Sequence, residues 1–145
     1  MNKKVHLFLI IIINLCYANS LPATENFFID AKKKFDASNF EDSKFLFQRN
    51  IVFNPKDAKS YLYLAKIYNS EENQKEEVKN LNTTLLLEPN NEEAIYMLIN
   101  IELKKSNYTN VKKLITDFSV VCSSLCENIK VINEKLKNIE PKNDS

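Results

Sequence analysis

The 145-residue sequence contains no glycine and no tryptophan, and its single histidine is His6. Without glycine neither a P-loop nor a GxGxxG dinucleotide turn can form, because both bring backbone closer to phosphate than a Cβ allows. Arginine is almost absent: of 20 basic residues 19 are lysine, with Arg49 the exception. The chain is rich in asparagine, with 20 residues, a bias that suggests an AT-rich coding genome rather than a function. Cysteine is limited to Cys16, Cys122 and Cys126. What remains has the balance of an ordinary globular domain, 44% hydrophobic and 27% charged.

Long apolar runs are missing too, with one exception near the N-terminus. Lys3 and Lys4 precede Val5–Leu15, which is apolar apart from His6 and Asn14, and the small residues Ala18 and Ser20 follow. A charged head, a short apolar run and a small-residue cleavage site define an export signal. The run is about half the roughly 20 residues needed to span a bilayer. Cleavage fits after Ala18 or after Ser20, and Leu15 ahead of Cys16 is the wrong residue for a lipoprotein. The reading is a signal peptide over 1–20, a periplasmic (or secreted) product, and no membrane insertion once the signal is removed.

Loss of 1–20 removes two lysines and no acid, which changes the net charge from +1 to −1. It also removes the only histidine, and with it the commonest general base and metal ligand. A near-neutral chain has no electrostatic footprint for nucleic acid. The acids occur as Glu71-Glu72, Glu76-Glu77 and Glu92-Glu93, a charged helix surface rather than a metal loop. No serine or cysteine has a histidine to activate it. Catalysis, cofactors and metals are therefore not expected. Two cysteines remain, an even number in an exported chain. Two thiolates alone cannot complete a zinc site, and CxxxC is one residue too long for the CxxC redox motif. A structural disulfide between Cys122 and Cys126 is the better reading, and two buried reduced thiols are the alternative.

What the sequence does contain is a period of 34. Pro55 and Pro89 are separated by it, as are Asn39, Asn73 and Asn107. So are Phe27, Tyr61 and Ile95, then Phe28, Leu62 and Tyr96, then Phe47, Leu81 and Ile115. Ser38-Asn39 recurs as Ser106-Asn107, each followed by an aromatic. A 34-residue period with apolar residues at helical spacing resembles the tetratricopeptide repeat, whose pattern is W-x2-L-G-x2-Y, then A-x3-F, then P. Tyr61, Leu64-Ala65, Tyr68, Leu81 and Pro89 carry it in the middle repeat. Phe27, Ala31, Ser43, Phe47 and Pro55 carry it in the first, and Ile95, Leu98, Val111 and Ile115 in the third. Asp30, Glu77 and Ile99 depart from it, and Val78 predicts that the second helix of repeat two starts one residue late.

The expected fold is all-α: a right-handed superhelix of three helix-turn-helix repeats, about 24–57, 58–91 and 92–123, within a domain over 21–140. Leu125, Ile129, Ile132 and Leu136 predict a capping helix at about 124–140, with Cys122 outside it and Cys126 in its first turn. Residues 141–145 are a polar tail. With no glycine, the asparagines at the kinks are expected to take the left-handed turn conformation. Asp57 and Asn91 are candidate helix caps.

The resemblance implies a concave surface, lined by the first helices, that holds a protein or peptide partner. The matching positions are Phe28, Lys32 and Phe35, then Lys59, Leu62, Lys66 and Asn69, then Glu93, Tyr96, Asn100 and Leu103. The family's clamp for terminal carboxylates is not reproduced, since Phe28, Glu93 and Met97 occupy its positions. The function expected is that of a non-catalytic adaptor or scaffold in cell-envelope assembly. The alternative is a structural subunit whose groove is filled by its neighbour.

Overall fold

The computed structural model describes residues 23–140; the segment 1–20, read above as a signal peptide, and the tail 141–145 lie outside the described residues. These form seven α-helices: α1 Ala23–Asp36, α2 Phe40–Phe53, α3 Ala58–Ser70, α4 Gln74–Leu87, α5 Glu92–Lys104, α6 Tyr108–Val121 and α7 Asn128–Ile139. The bounds repeat at the sequence period. The second helices begin at 40, 74 and 108 and stop at 53, 87 and 121, 34 apart each time. α4 therefore keeps the common register, and the late start predicted from Val78 does not occur. Glu77 fills the alanine position instead, 4% exposed. Its buried carboxylate is partnered, with the Asn69 side-chain amide donating to Oε1 at 2.8 Å.

All three first helices end alike. The left-handed residue is not the expected asparagine but the one before it: Ser38 at φ 58°, Glu72 at φ 56° and Ser106 at φ 54°. The N–H of Asn39, Asn73 and Asn107 then reaches back to the carbonyl of Lys34, Tyr68 and Glu102, each at 2.9 Å. This Schellman closure satisfies carbonyls the helix end would otherwise orphan. The asparagines have a different task. Their side-chain oxygens accept from the N–H of Asp42, Glu76 and Asn110 at 3.3, 3.3 and 3.4 Å, capping the second helices. One residue cannot be left-handed and cap the next helix, so the strain falls on its predecessor.

Pro55 and Pro89 follow the ends of α2 and α4, where a missing N–H breaks no helical bond. Asn91 caps α5 by accepting from the Ala94 N–H at 3.0 Å. Asp57 makes no such cap bond. Its carboxylate instead accepts from Asn50 Nδ2 at 2.7 Å and Ser60 Oγ at 2.6 Å, a polar link from α2 to α3.

Successive helices pack on one another, and α7 lies on both α5 and α6. The core changes character along the stack. At the N-terminal end Ala31, Phe47, Leu64 and Ile67 are buried among Phe28, Phe35, Phe40 and Tyr63. The middle is Leu62, Ala65, Leu81, Ala94, Leu98 and Ile101. At the C-terminal end Ile95, Ile99, Leu103, Val111 and Phe118 receive Ile132 and Leu136 from α7. Each such side chain contributes roughly 1.5–3 kcal/mol when fully buried, which is why a terminal repeat needs a cap.

The seam to the cap is covalent. Cys122, at the end of α6, is bonded to Cys126 with Cα atoms 5.2 Å apart. The helix breaks between them, as expected, but Cys126 lies in the turn before α7 rather than in its first turn. The loop passes through Ser123, one period beyond Pro55 and Pro89. A disulfide loop here replaces the proline turn.

Candidate functional site: the face of the first helices

The centre of the first-helix face is Tyr63, on α3. Its ring stacks on Phe47 at 5.0 Å and meets the edges of Phe35 at 5.0 Å and Phe28 at 5.9 Å. Two of the predicted lysines converge on it. The Lys66 ammonium is 4.7 Å from the ring centroid and that of Lys32 is 5.9 Å away. Each lysine also has a carboxylate: Lys32 pairs with Asp36 at 2.7 Å, and Lys66 reaches Glu93 on α5 at 2.8 Å. The bond to Asp36, opposed by partial desolvation and aided by Tyr63, holds the Lys32 pKa above its ordinary value. Three first helices are thus joined across one face by an aromatic ring and two cations.

The row Phe28, Leu62 and Tyr96 does not form the expected line of open anchors. Leu62 is 7% exposed and packs with Ala65, Leu81, Ala94 and Leu98. Its position tilts toward the neighbouring repeat, so burial claims it. Phe28 is half-buried against Phe47 and Tyr63, and Tyr96 stacks on Phe118 at 6.0 Å. Lys59 is exposed at the start of α3. Asn69 is exposed, but its amide is held by Glu77. Asn100 donates to the Tyr96 carbonyl at 3.0 Å and edges a depression of about 350 Å³ with Leu103, Lys104 and Ile139.

The apolar row that does reach this face is one residue further along: Ile29, Tyr63 and Met97. Ile29 is exposed, and Tyr63 and Met97 are half-buried. They are also 34 apart, so the period contained the signal. Ile29 lines a depression of about 320 Å³ with Phe28, Lys32, Lys33 and Asp36. Apolar bodies and lysines alternate along the groove.

A second arrangement was not legible in the sequence. The Glu92 carboxylate, at the start of α5, sits in the disulfide loop. It accepts from the N–H of Ser123 at 2.6 Å, of Ser124 at 3.1 Å and of Leu125 at 3.4 Å. The Ser124 hydroxyl donates as well. Successive N–H groups of a turn make an anion cradle. The Ser124 hydroxyl first, then the Ser123 N–H, lower the Glu92 pKa from 4.5 to about 2. Beside it lies an open depression of about 600 Å³ walled by Pro89, Asn90, Glu93 and Val121, with Leu62 at its floor. Among the described residues no three His, Cys, Asp or Glu side chains are grouped to hold a metal ion. No helix among them is long and apolar enough to cross a membrane.

Three stacked helix pairs with a terminal cap, turned by prolines at a 34-residue interval, make this the tetratricopeptide-repeat fold. Solved structures share it. The chain is similar to the TPR2B domain of yeast Sti1, determined as a complex with pHsp70, with a TM-score of 0.71 at 16% identity over 81% of this chain and 98% of that one. It is similar to the Yersinia enterocolitica type III secretion chaperone SycD, in complex with a peptide of the translocator YopD: TM-score 0.69, 13% identity, 83% and 94% covered. The CopN–Scc3 complex gives a TM-score of 0.64 at 14% identity, covering 86% of this chain and 74% of that one. No family model matches the sequence, and no curated protein does. At these identities the likeness is one of fold.

Proposed function

We propose that the chain is a non-catalytic adaptor that holds a segment of a partner protein along α1, α3 and α5. The observation that carries this is the pair of lysines, Lys32 and Lys66, flanking the Tyr63 ring on one open face. The similar structures of Sti1 and SycD were determined with protein or peptide partners, which supports the reading. The preferred segment is extended or helical and carries apolar and acidic residues. Its apolar side chains meet Ile29, Tyr63 and Met97, and its carboxylates replace Asp36 and Glu93 on the lysines. That exchange costs little, because exposed ion pairs are weak. The face sets the chemistry of the partner segment.

A peptide library displayed on phage tests this directly. Selection should enrich sequences with alternating apolar and acidic residues, and Lys66→Glu should lose them while melting as wild type does. Enrichment of basic sequences, or no enrichment, removes the reading. We further propose that the protein is exported and works in the cell envelope, on the strength of the Lys3-Lys4 head and the Val5–Leu15 run. N-terminal sequencing from the native host should begin near Asn19 or Leu21. Intact Met1 in a cytoplasmic fraction would end that proposal.

A further inference from the structure

The seam between α5 and the capping helix differs from the two seams before it. In those, the period places Ile67 and Ile101, 0 and 2% exposed, among apolar residues of the preceding repeat. The next member of that series is Lys135 on α7, and it is exposed. An ammonium is too costly to bury in such a seam, and the depression of about 350 Å³ stays open beside it. Buried Leu103 and half-buried Ile139 form its floor. Lys104, Lys135 and Asn138 stand exposed at its rim, with Asn100 on the side of the groove.

The groove runs into this gap. Asn100 continues the row of Lys32 and Lys66 and also lines the depression. The row Ile29, Tyr63 and Met97 gains a fourth member in Val131 on α7, 48% exposed. Val131, Lys135 and Asn138 recur at one-turn spacing, so they share one side of that helix. Charge marks the occupant. Lys32 and Lys66 have Asp36 and Glu93 as partners, whereas Lys104 and Lys135 form no ion pair among the described residues. Glu102, two residues before Lys104, is held by Lys105 and Asn107, and Glu134 is not part of the lining. Helix C-termini repel anions, but the carbonyls of Ile101, Glu102 and Leu103 are taken by the N–H groups of Lys105, Asn107 and Ser106. The two ammonium groups therefore set the charge of the rim.

We infer that α7 is a fourth wall of the groove and that the gap is a subsite for the partner segment. An apolar side chain of the segment enters the depression, and an acidic side chain beside it lies between Lys104 and Lys135. The Asn138 amide donates to the same carboxylate. The carboxylate is a side chain's and not a terminus, because Val131 carries the apolar row past the gap. This inference rests on the groove reading and gives the chemistry of its far end.

Isothermal titration of the purified protein with an amidated synthetic peptide of alternating leucine and glutamate tests the subsite. Lys135→Ile restores the residue of the inner seams. It should raise the melting temperature by closing the gap, and weaken binding by at least about fivefold, the scale of one exposed ion pair. Those opposite signs separate a lost subsite from a damaged fold. Lys104→Gln should weaken binding about two- to fivefold with an unchanged melt. Against a peptide of alternating leucine and glutamine, Lys104→Gln and wild type should bind alike. The peptide with a free C-terminal carboxylate should bind no tighter than the amidated one. Tighter binding of the free acid, lost in Lys104→Gln, would place a chain end at the lysines and overturn the assignment. Lys66→Glu tests the groove itself. If it loses the peptide while Lys135→Ile and Lys104→Gln bind like wild type, the groove stands and the subsite falls. If wild type does not bind, or all three variants bind as it does, both fall.

Discussion

The two ends of the stack solve the same problem with different materials. Repeat one closes its core with rings: Phe28, Phe35 and Phe47 each lie 5.0–5.9 Å from Tyr63 of the next repeat, and Phe27 stacks on Phe53 under the Arg49 guanidinium. Repeat three is mainly aliphatic and depends on α7, the Cys122–Cys126 bond and the Glu92 cradle. Each aromatic side chain buries a large area. Smaller aliphatics bury less each, so the C-terminal end needs an added helix and a covalent seam. In a chain of stacked repeats, each contacting its neighbours, such differences stay local.

That locality can be broken at either end. Phe47→Ala should have the largest effect, about 3–5 kcal/mol, because a fully buried ring leaves a cavity beside Phe28 and Tyr63. Hydrogen exchange should then show α1–α3 opening while α5–α7 keep their protection. Uniform loss across the chain would mean the ends are one cooperative unit. Reduction of the disulfide, or Cys122→Ser with Cys126→Ser, should cost less, about 2 kcal/mol for so short a loop. The expected sign is faster exchange in α7 with α1–α3 unchanged.

Glu72→Gly, in the middle repeat, sharpens the comparison from the other direction. A non-glycine residue at φ 56° is strained, and glycine there should stabilise by about 1 kcal/mol, read as a rise in melting temperature. Because Glu72 touches neither end, both should gain alike. The smallest effect at neutral pH is expected from Glu92→Gln, and its value lies in the pH dependence. A carboxylate whose folded pKa lies at about 2, below its ordinary 4.5, stabilises the native state fully above 4.5 and loses that contribution as pH falls toward 2. Wild type should therefore show an acid-sensitive melting limb in that window, carried by α6 and α7, and Glu92→Gln should flatten it.

The period of 34 carried the helix boundaries because helix stops and starts are local: proline, asparagine and apolar spacing act within one turn. The capping helix was legible for the same reason. The burial of Leu62 was not legible, since position within a repeat does not say how far a side chain leans into the next. Ile29, Tyr63 and Met97 share the same period one residue later, and it is their row that reaches the groove. The left-handed Ser38, Glu72 and Ser106 were hidden because asparagine has two uses at a kink, and capping won. Glu92 could not be found from spacing at all, since its partners are 31 to 33 residues away and act through backbone N–H groups.

The central claim is that the face of α1, α3 and α5, with Tyr63 between Lys32 and Lys66, is where a partner segment lies. Hydrogen exchange of the protein with and without a library-selected peptide tests it most directly. The account predicts added protection along α1, α3 and α5 and none along α2, α4 and α6. Protection confined to the outer helices, or absent from α3, would contradict it.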